Sequence, residues 1–165
     1  SRVVAQNVEG SIAQIASVCC VGCVVANNTL VDPDNLIIRI LQETTTSGGY
    51  ELEACKSGVF FNNLVYFNRS ELSTYVNIGP NTASETFSFA NNLWYAHDSP
   101  AQSEPTLPAP ETNGIYGLDP GLNSEYRVAP ASPAAGAGIA TEWIWGDLSG
   151  ACFADSPTIG AFEIR

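Results

Sequence analysis

The phrase apolar–apolar–Asn–Asn–apolar occurs three times in this chain, and a chain that repeats itself must find a way to stack the copies. It reads "CVVANNTLV" around Asn28, "GVFFNNLVYF" around Asn63 and "FSFANNLWYA" around Asn92. A degenerate copy, "VVAQNV", is centred on Asn7. A constant phrase at unequal intervals predicts passes of fixed core joined by loops of variable length. The flanking segments are rich in Val, Ile, Phe, Tyr and Thr and end at Gly, Pro, Asn or Asp, so they read as short strands.

A second strand set lies between the Asn phrases: "SIAQIAS", "LIIRILQ" and "TYVNIGP". Each has an apolar–polar–apolar centre: Ala13-Gln14-Ile15, Ile38-Arg39-Ile40 and Val76-Asn77-Ile78. Stacking the centres predicts one sheet with Gln14, Arg39 and Asn77 in line on its outer face. One such pass cannot bury its apolar face alone, and stacked passes make a continuous core, which is solenoid logic. Asn suits the corners because it tolerates the left-handed backbone region better than other non-glycine residues. Stacked one above another, Asn28, Asn63 and Asn92 are also expected to hydrogen-bond as a ladder. The plainer alternative is that Asn-Asn is only a common turn pair.

Five cysteines are present: Cys19, Cys20, Cys23, Cys55 and Cys152. Cys20 and Cys55 stand equally far ahead of Asn28 and Asn63, so stacking makes them neighbours. Adjacent strands lie about 4.8 Å apart, inside the Cα range of a disulfide, about 4.4–6.8 Å. A Cys20–Cys55 bond is the expectation, with two buried thiols as the alternative. The partners of Cys19, Cys23 and Cys152 stay open. "CCVGC" lacks a second Cys or His pair to complete a zinc site.

Composition narrows the function. With net charge −11 and only 14% charged residues, the chain has no basic patch for nucleic acid. No apolar run is long enough to span a bilayer, since Gln14 and Ser17 interrupt the longest. Low charge together with several cysteines fits a secreted or cell-surface protein. The chain has no Met, so it is expected to be a processed product or a piece of a longer protein.

The Asn phrases, with "YGLDPGLN", "EYRVAPASPAAGAG" and "GDLSGACFADSPTIGAFEI" in the last third, resemble right-handed parallel β-helix proteins of the pectate-lyase-like superfamily. The likeness is closest at Ser132-Pro133-Ala134 and Ile159-Gly160-Ala161-Phe162-Glu163. It departs at Ala151-Cys152, where a basic residue is usual. The resemblance implies an all-β fold: a right-handed parallel β-helix of three to four coils over residues 1–98. A Pro-rich arm and C-terminal cap of the same domain would follow over residues 99–165. It also implies the C-terminal portion of a bacterial secreted protein, its first coil covered by the rest of a parent chain or by a second copy stacked end to end.

In polysaccharide-active members of that superfamily the substrate groove lies on the outer face of one parallel sheet. The counterpart here is the line Gln14, Arg39 and Asn77, with Tyr75 and Ile37 pointing the same way by period two and Glu43 at the edge. A lyase of this kind needs a basic residue to take a proton, and Arg39 is the one basic residue of that face. The alternative is a solvated arginine paired with Glu43.

Inverting glycosidases use two carboxyl groups about 6.5–9.5 Å apart. Asp32 and Asp34 in "VDPDN" are available, though the same letters are ordinary turn chemistry. They could also serve calcium as hard oxygen ligands, without any loop signature for it; no cofactor is implied. His97, beside Asp98, invites an acid–base reading, against that of a surface histidine. Trp94, Tyr95, Trp143 and Trp145 either stack on sugar rings or cover the end of the core. Ser99 to Pro110 is expected to run as an extended arm back along the coils. The leading expectation is a secreted structural module that stacks into filaments. The alternatives are part of a polysaccharide lyase or glycosidase, and a carbohydrate-binding module.

Overall fold

The structure is a computed structural model that describes residues 4–6, 13–18, 20–142 and 144–164. Asn7, Cys19 and Trp143 lie outside the described residues. The chain is all-β. Its first pass has β1 (Val4–Gln6), β2 (Ile15–Val18) and β3 (Val24–Ala26). The second has β4 (Thr29–Val31), β5 (Asn35–Leu41), an exposed antiparallel hairpin of β6 (Thr46–Ser47) and β7 (Tyr50–Glu51), then β8 (Cys55–Lys56) and β9 (Val59–Phe61). The third has β10 (Leu64–Phe67), β11 (Leu72–Ile78), β12 (Thr82–Ala83) and β13 (Ser88–Ala90). The last has β14 (Leu93–Ala96), β15 (Glu111–Thr112) and β16 (Ile115–Tyr116).

Pairing follows the passes. One parallel sheet runs β1-β4-β10-β14-β16, a second runs β2-β5-β11 and a third runs β3-β9-β13-β15, with β8 and β12 paired between the second and third. Each pass therefore visits the sheets in the same order and returns one strand along. Between the three sheets lies one apolar core that includes Leu30, Ile38, Ile40, Phe60, Val65, Phe67, Phe89 and Trp94. Trp94 is fully buried and stacks on Phe60, with ring centres 5.8 Å apart.

The two asparagines of each phrase divide the work. The first, at Asn27, Asn62 and Asn91, takes the left-handed backbone at φ 53°, 54° and 49° and turns the chain from the third sheet into the first. The second is fully buried and forms a ladder. The Nδ2 of Asn28 donates to Oδ1 of Asn63 at 2.8 Å, and that of Asn63 to Oδ1 of Asn92 at 3.0 Å. Backbone N–H groups of Asn28 and Asn63 donate to the same oxygens. The ladder stops on Glu111. Its Oε1 accepts from the backbone N–H and Nδ2 of Asn92, and its Oε2 accepts from Trp94 Nε1 and the Tyr116 hydroxyl. Registers Phe89–Glu111 and Leu93–Ile115 make "ETNGIY" a fourth copy of the phrase, with Asn113 (φ 54°) at the corner and Gly114 where a ladder Asn would stand. A Cβ at Gly114 would collide with the Tyr116 hydroxyl and the Glu111 carboxylate.

Several expectations are corrected. β1 sets Val4, not Val8, opposite Thr29, so the copy does not align on Asn7. In the second sheet Arg39 does lie opposite Asn77, but Ala16 rather than Gln14 completes the line. The slip is two residues, which leaves the facing of every side chain unchanged, so alternation alone cannot detect it. The slip sets Ile15, larger than Ala13, opposite Ile38.

Cys20 is bonded to Cys23 across the turn at Gly22 (φ 66°), not to Cys55. Cys20 and Cys55 are indeed lateral neighbours, since Val21 bridges Lys56 and the Lys56 N–H donates to the Cys20 carbonyl at 2.8 Å. Side chains at matched positions of parallel strands run alongside each other, however, and the Cys55 thiol is buried against the Ser17 carbonyl. The Pro-rich arm does not run back along the passes. Leu107 and Ala109 pack on the main core, Ser103 and Pro105 are buried, and Gln102 accepts a hydrogen bond from the Tyr75 hydroxyl. The arm thus replaces the second-sheet strand of the last pass.

Three outcomes are expected. Asn63→Ala removes the oxygen that accepts from the backbone N–H and Nδ2 of Asn28 and the amide that donates to the Val25 and Phe61 carbonyls, and should lower unfolding free energy by about 3 kcal/mol. Glu111→Gln turns an NH2 group onto one of the two donor pairs and should cost about 2 kcal/mol; urea unfolding measures both. Non-reducing peptide mapping should find a single peptide holding the Cys20–Cys23 bond, and a Cys20–Cys55 cross-link would contradict the fold as described.

Candidate functional site

Three places hold functional groups close together. The first is the outer face of the second sheet. Gln14 donates through Nε2 to the Val31 carbonyl at 2.9 Å. Ile37 is fully buried, and the Tyr75 ring lies edge-on to Phe67 under the Arg69 guanidinium, 4.9 Å from its centre. Arg39 and Asn77 are half-buried, and Arg39 lies 3.7 Å from Glu43. Gln14, Arg39, Tyr75, Asn77 and Glu43 therefore do not converge on one pocket: Tyr75 is tied to the arm, and Gln14 to the first sheet.

The second place is a cleft of about 210 Å³ where the first sheet hands over to the second, lined by Asp32, Pro33, Asp34, Asn68, Glu71 and His97. His97 Nε2 lies 2.8 Å from Asp32 Oδ1, and the imidazole stacks on Tyr66 at 4.8 Å. Its adjacent residue, Asp98, points elsewhere, accepting from the N–H groups of Arg69 and Ser70. Burial opposes ionisation of Asp98, but these backbone donors outweigh it and hold its carboxyl below the usual value. The Tyr66 hydroxyl is pushed up by burial first, then by the charges of Asp119 and Asp32. Asp32 and Asn35, at φ 43° and 67°, are turn residues. The cleft holds an imidazole and carboxylates, with no hydroxyl or thiol nucleophile among its lining side chains.

The third place is a groove of about 590 Å³, built by the C-terminal segment. After β16 the chain packs over the outer face of the first sheet, where Ala134 and Ile159 bury Leu64 and Leu93. Gly160 and Ala161 donate to the Asn62 carbonyl and the Thr29 hydroxyl. Residues 144–153 double back, with Thr141 bridging Ile144 and Gly146 bridging Cys152, both antiparallel. Asp147 locks this turn: Oδ1 accepts from Ser149 and Ala151 N–H, and Oδ2 from Glu163 N–H. Glu163 in turn accepts from the Thr158 N–H and hydroxyl. The acids of "GDLSG" and "IGAFE" are therefore clamps of the closing segment.

The groove lies between this turn and the Asn27 corner. Trp145, 76% exposed, and Phe153 stand on the turn, with Ile139 and Ile144 as the apolar floor and Glu142 and Asp155 as carboxylates. Sequence reasoning put Trp145 among the aromatics that either bind or cap; it missed Asn27 and the groove itself. The only usable signal was that "TEWIWGD" follows no repeat. Among the described residues no cluster of three or more metal-ligating side chains occurs, and no helix is long and apolar enough to cross a membrane. No protein family, curated protein or solved structure matches the chain.

The Asp147 carboxyl gives a pH test. Burial raises its pKa, but the Ser149 hydroxyl and the N–H groups of Glu163, Ala151 and Ser149 more than offset this and hold it below the usual carboxylate value. A native value below the unfolded one stabilises the fold above about pH 4, and that contribution is lost as pH falls through the native value. Asp147→Asn should cost about 2 kcal/mol at pH 7, and the gap to the unsubstituted chain should narrow below about pH 4 in urea titrations at several pH values.

Proposed function

We propose that the chain is a carbohydrate-binding module of a secreted or cell-surface protein, its passes forming a right-handed parallel β-helix that serves as a rigid base for the groove. The observation that carries this reading is Trp145, an indole 76% exposed at the groove of about 590 Å³. Burying an exposed aromatic face against the C–H face of a sugar ring is favourable, while the polar tip stays wet. The neighbouring carboxylates of Glu142 and Asp155 accept from sugar hydroxyls. A mostly apolar concavity with a few polar groups is the usual form of a small-ligand site. The cysteine content and low charge support the extracellular setting.

A second reading, hydrolysis in the cleft of Asp32, Asp34, Glu71 and His97, is favoured by the His97–Asp32 contact of 2.8 Å. It would use paired carboxyl groups and water, since the cleft supplies no other nucleophile.

Calorimetric titration with neutral oligosaccharides tests the first reading. Trp145→Ala should weaken binding at least about tenfold, a loss of about 1.4 kcal/mol, with the melting temperature unchanged. Binding indifferent to that substitution contradicts the assignment. Sugar release that disappears in Asp32→Asn would favour the second reading.

A further inference from the structure

The corner asparagines form a row of their own, and the closing segment uses it. Asn62 Nδ2 donates to the Ile139 carbonyl at 2.8 Å, and its Oδ1 accepts from the Ile139 N–H at 2.9 Å. One side-chain amide thus pairs with both polar atoms of one residue's backbone. Asn91 Nδ2 donates to the Ala137 carbonyl at 2.9 Å. Asn27 is the next member of the row, with the same turn conformation (φ 53° against 54° at Asn62). It is only 2% exposed, yet its Nδ2 has no hydrogen-bond partner among the described residues. The closing segment leaves the row at the Thr141–Ile144 bridge, before it reaches Asn27, and the space it leaves is the groove that Asn27 lines.

A buried amide nitrogen without a partner is rare and needs an explanation. Here the fold supplies its own template for the missing partner, because the Nδ2 of Asn62 and that of Asn91, one and two passes along, each donate to an amide carbonyl. Resting on the carbohydrate reading above, we propose that the groove takes an N-acetylated amino sugar, with its acetamido group on Asn27 and its ring against Trp145. The acetyl methyl then falls on the apolar floor of Ile139, Ile144 and Phe153. The acidic lining and the net charge of −11 select a neutral sugar over a uronate.

The test is calorimetric titration of the full chain with the β-1,4-linked trimer of N-acetylglucosamine and with the matching glucose trimer. The acetylated trimer should bind at least about tenfold more tightly. Asn27→Asp keeps a side chain that tolerates the left-handed turn but removes the donor; it should abolish the preference for the acetylated trimer. Asn27→Gly preserves the turn more safely and should do the same, so a folding defect in the first variant does not blur the result. Equal binding of the two trimers overturns the amide role and leaves the carbohydrate reading standing. Binding of neither trimer overturns both. Tighter binding of a blocked alanine dipeptide than of the acetylated trimer overturns the sugar and makes the groove a peptide site.

Discussion

The side-chain-to-side-chain hydrogen bonds from Asn28 to Glu111 all point the same way: each asparagine donates forward, Asn63 and Asn92 accept from behind, and the carboxylate accepts at the end. Such a row polarises each member in the same sense, and in an apolar interior that strengthens all of them. It also makes the arrangement unforgiving, since a buried amide out of line loses its partners on both sides. The ladder sits where the third sheet passes into the first, so it locks the registers of both sheets together. The parallel pairing of β3, β9 and β13 and that of β4, β10 and β14 are consequences of one alignment.

The parts of the structure that follow from this alignment were legible in the chain. Asn28, Asn63 and Asn92 announce it, and the matched apolar–polar–apolar centres set Arg39 opposite Asn77 although the two follow their ladder residues at different distances. What lies off the repeat was not. Gln14 stands immediately before the second sheet's first strand, and a slip of two residues preserves its apparent facing. Cys20 and Cys55 are correctly neighbours, but adjacency in a parallel sheet does not aim two thiols at each other, while a three-residue turn through Gly22 does. Glu111, half-buried, stands where Phe60 and Phe89 stand in earlier passes, so a carboxylate there contradicts every expectation from pattern; only Gly114, breaking the phrase, hinted at it.

The two candidate sites differ in how they are made. The Asp32–His97 cleft is built from turns of the repeat, at positions that each pass fills differently. The Trp145 groove is built from the closing segment, which has no period and is organised by Asp147 and Glu163 acting on backbone N–H groups. Its shape depends on where that segment quits the corner row: Asn91 and Asn62 hold it, and Asn27 does not. Structure and site therefore share residues of one type, at successive positions, distinguished only by what each amide meets.

The one-way row of donors also determines where the molecule can change length. A whole extra pass spliced between Asn28 and Asn63 brings one more asparagine that accepts from behind and donates ahead, and nothing is left over. The same splice after Asn92 separates that residue from Glu111 and delivers a carboxylate to a place that now lacks its donor Trp94, with only Tyr116 travelling along. Growth and shrinkage by duplication are thus open upstream and closed downstream, so the acidic end is a fixed terminus against which variation in the rest of the stack is measured.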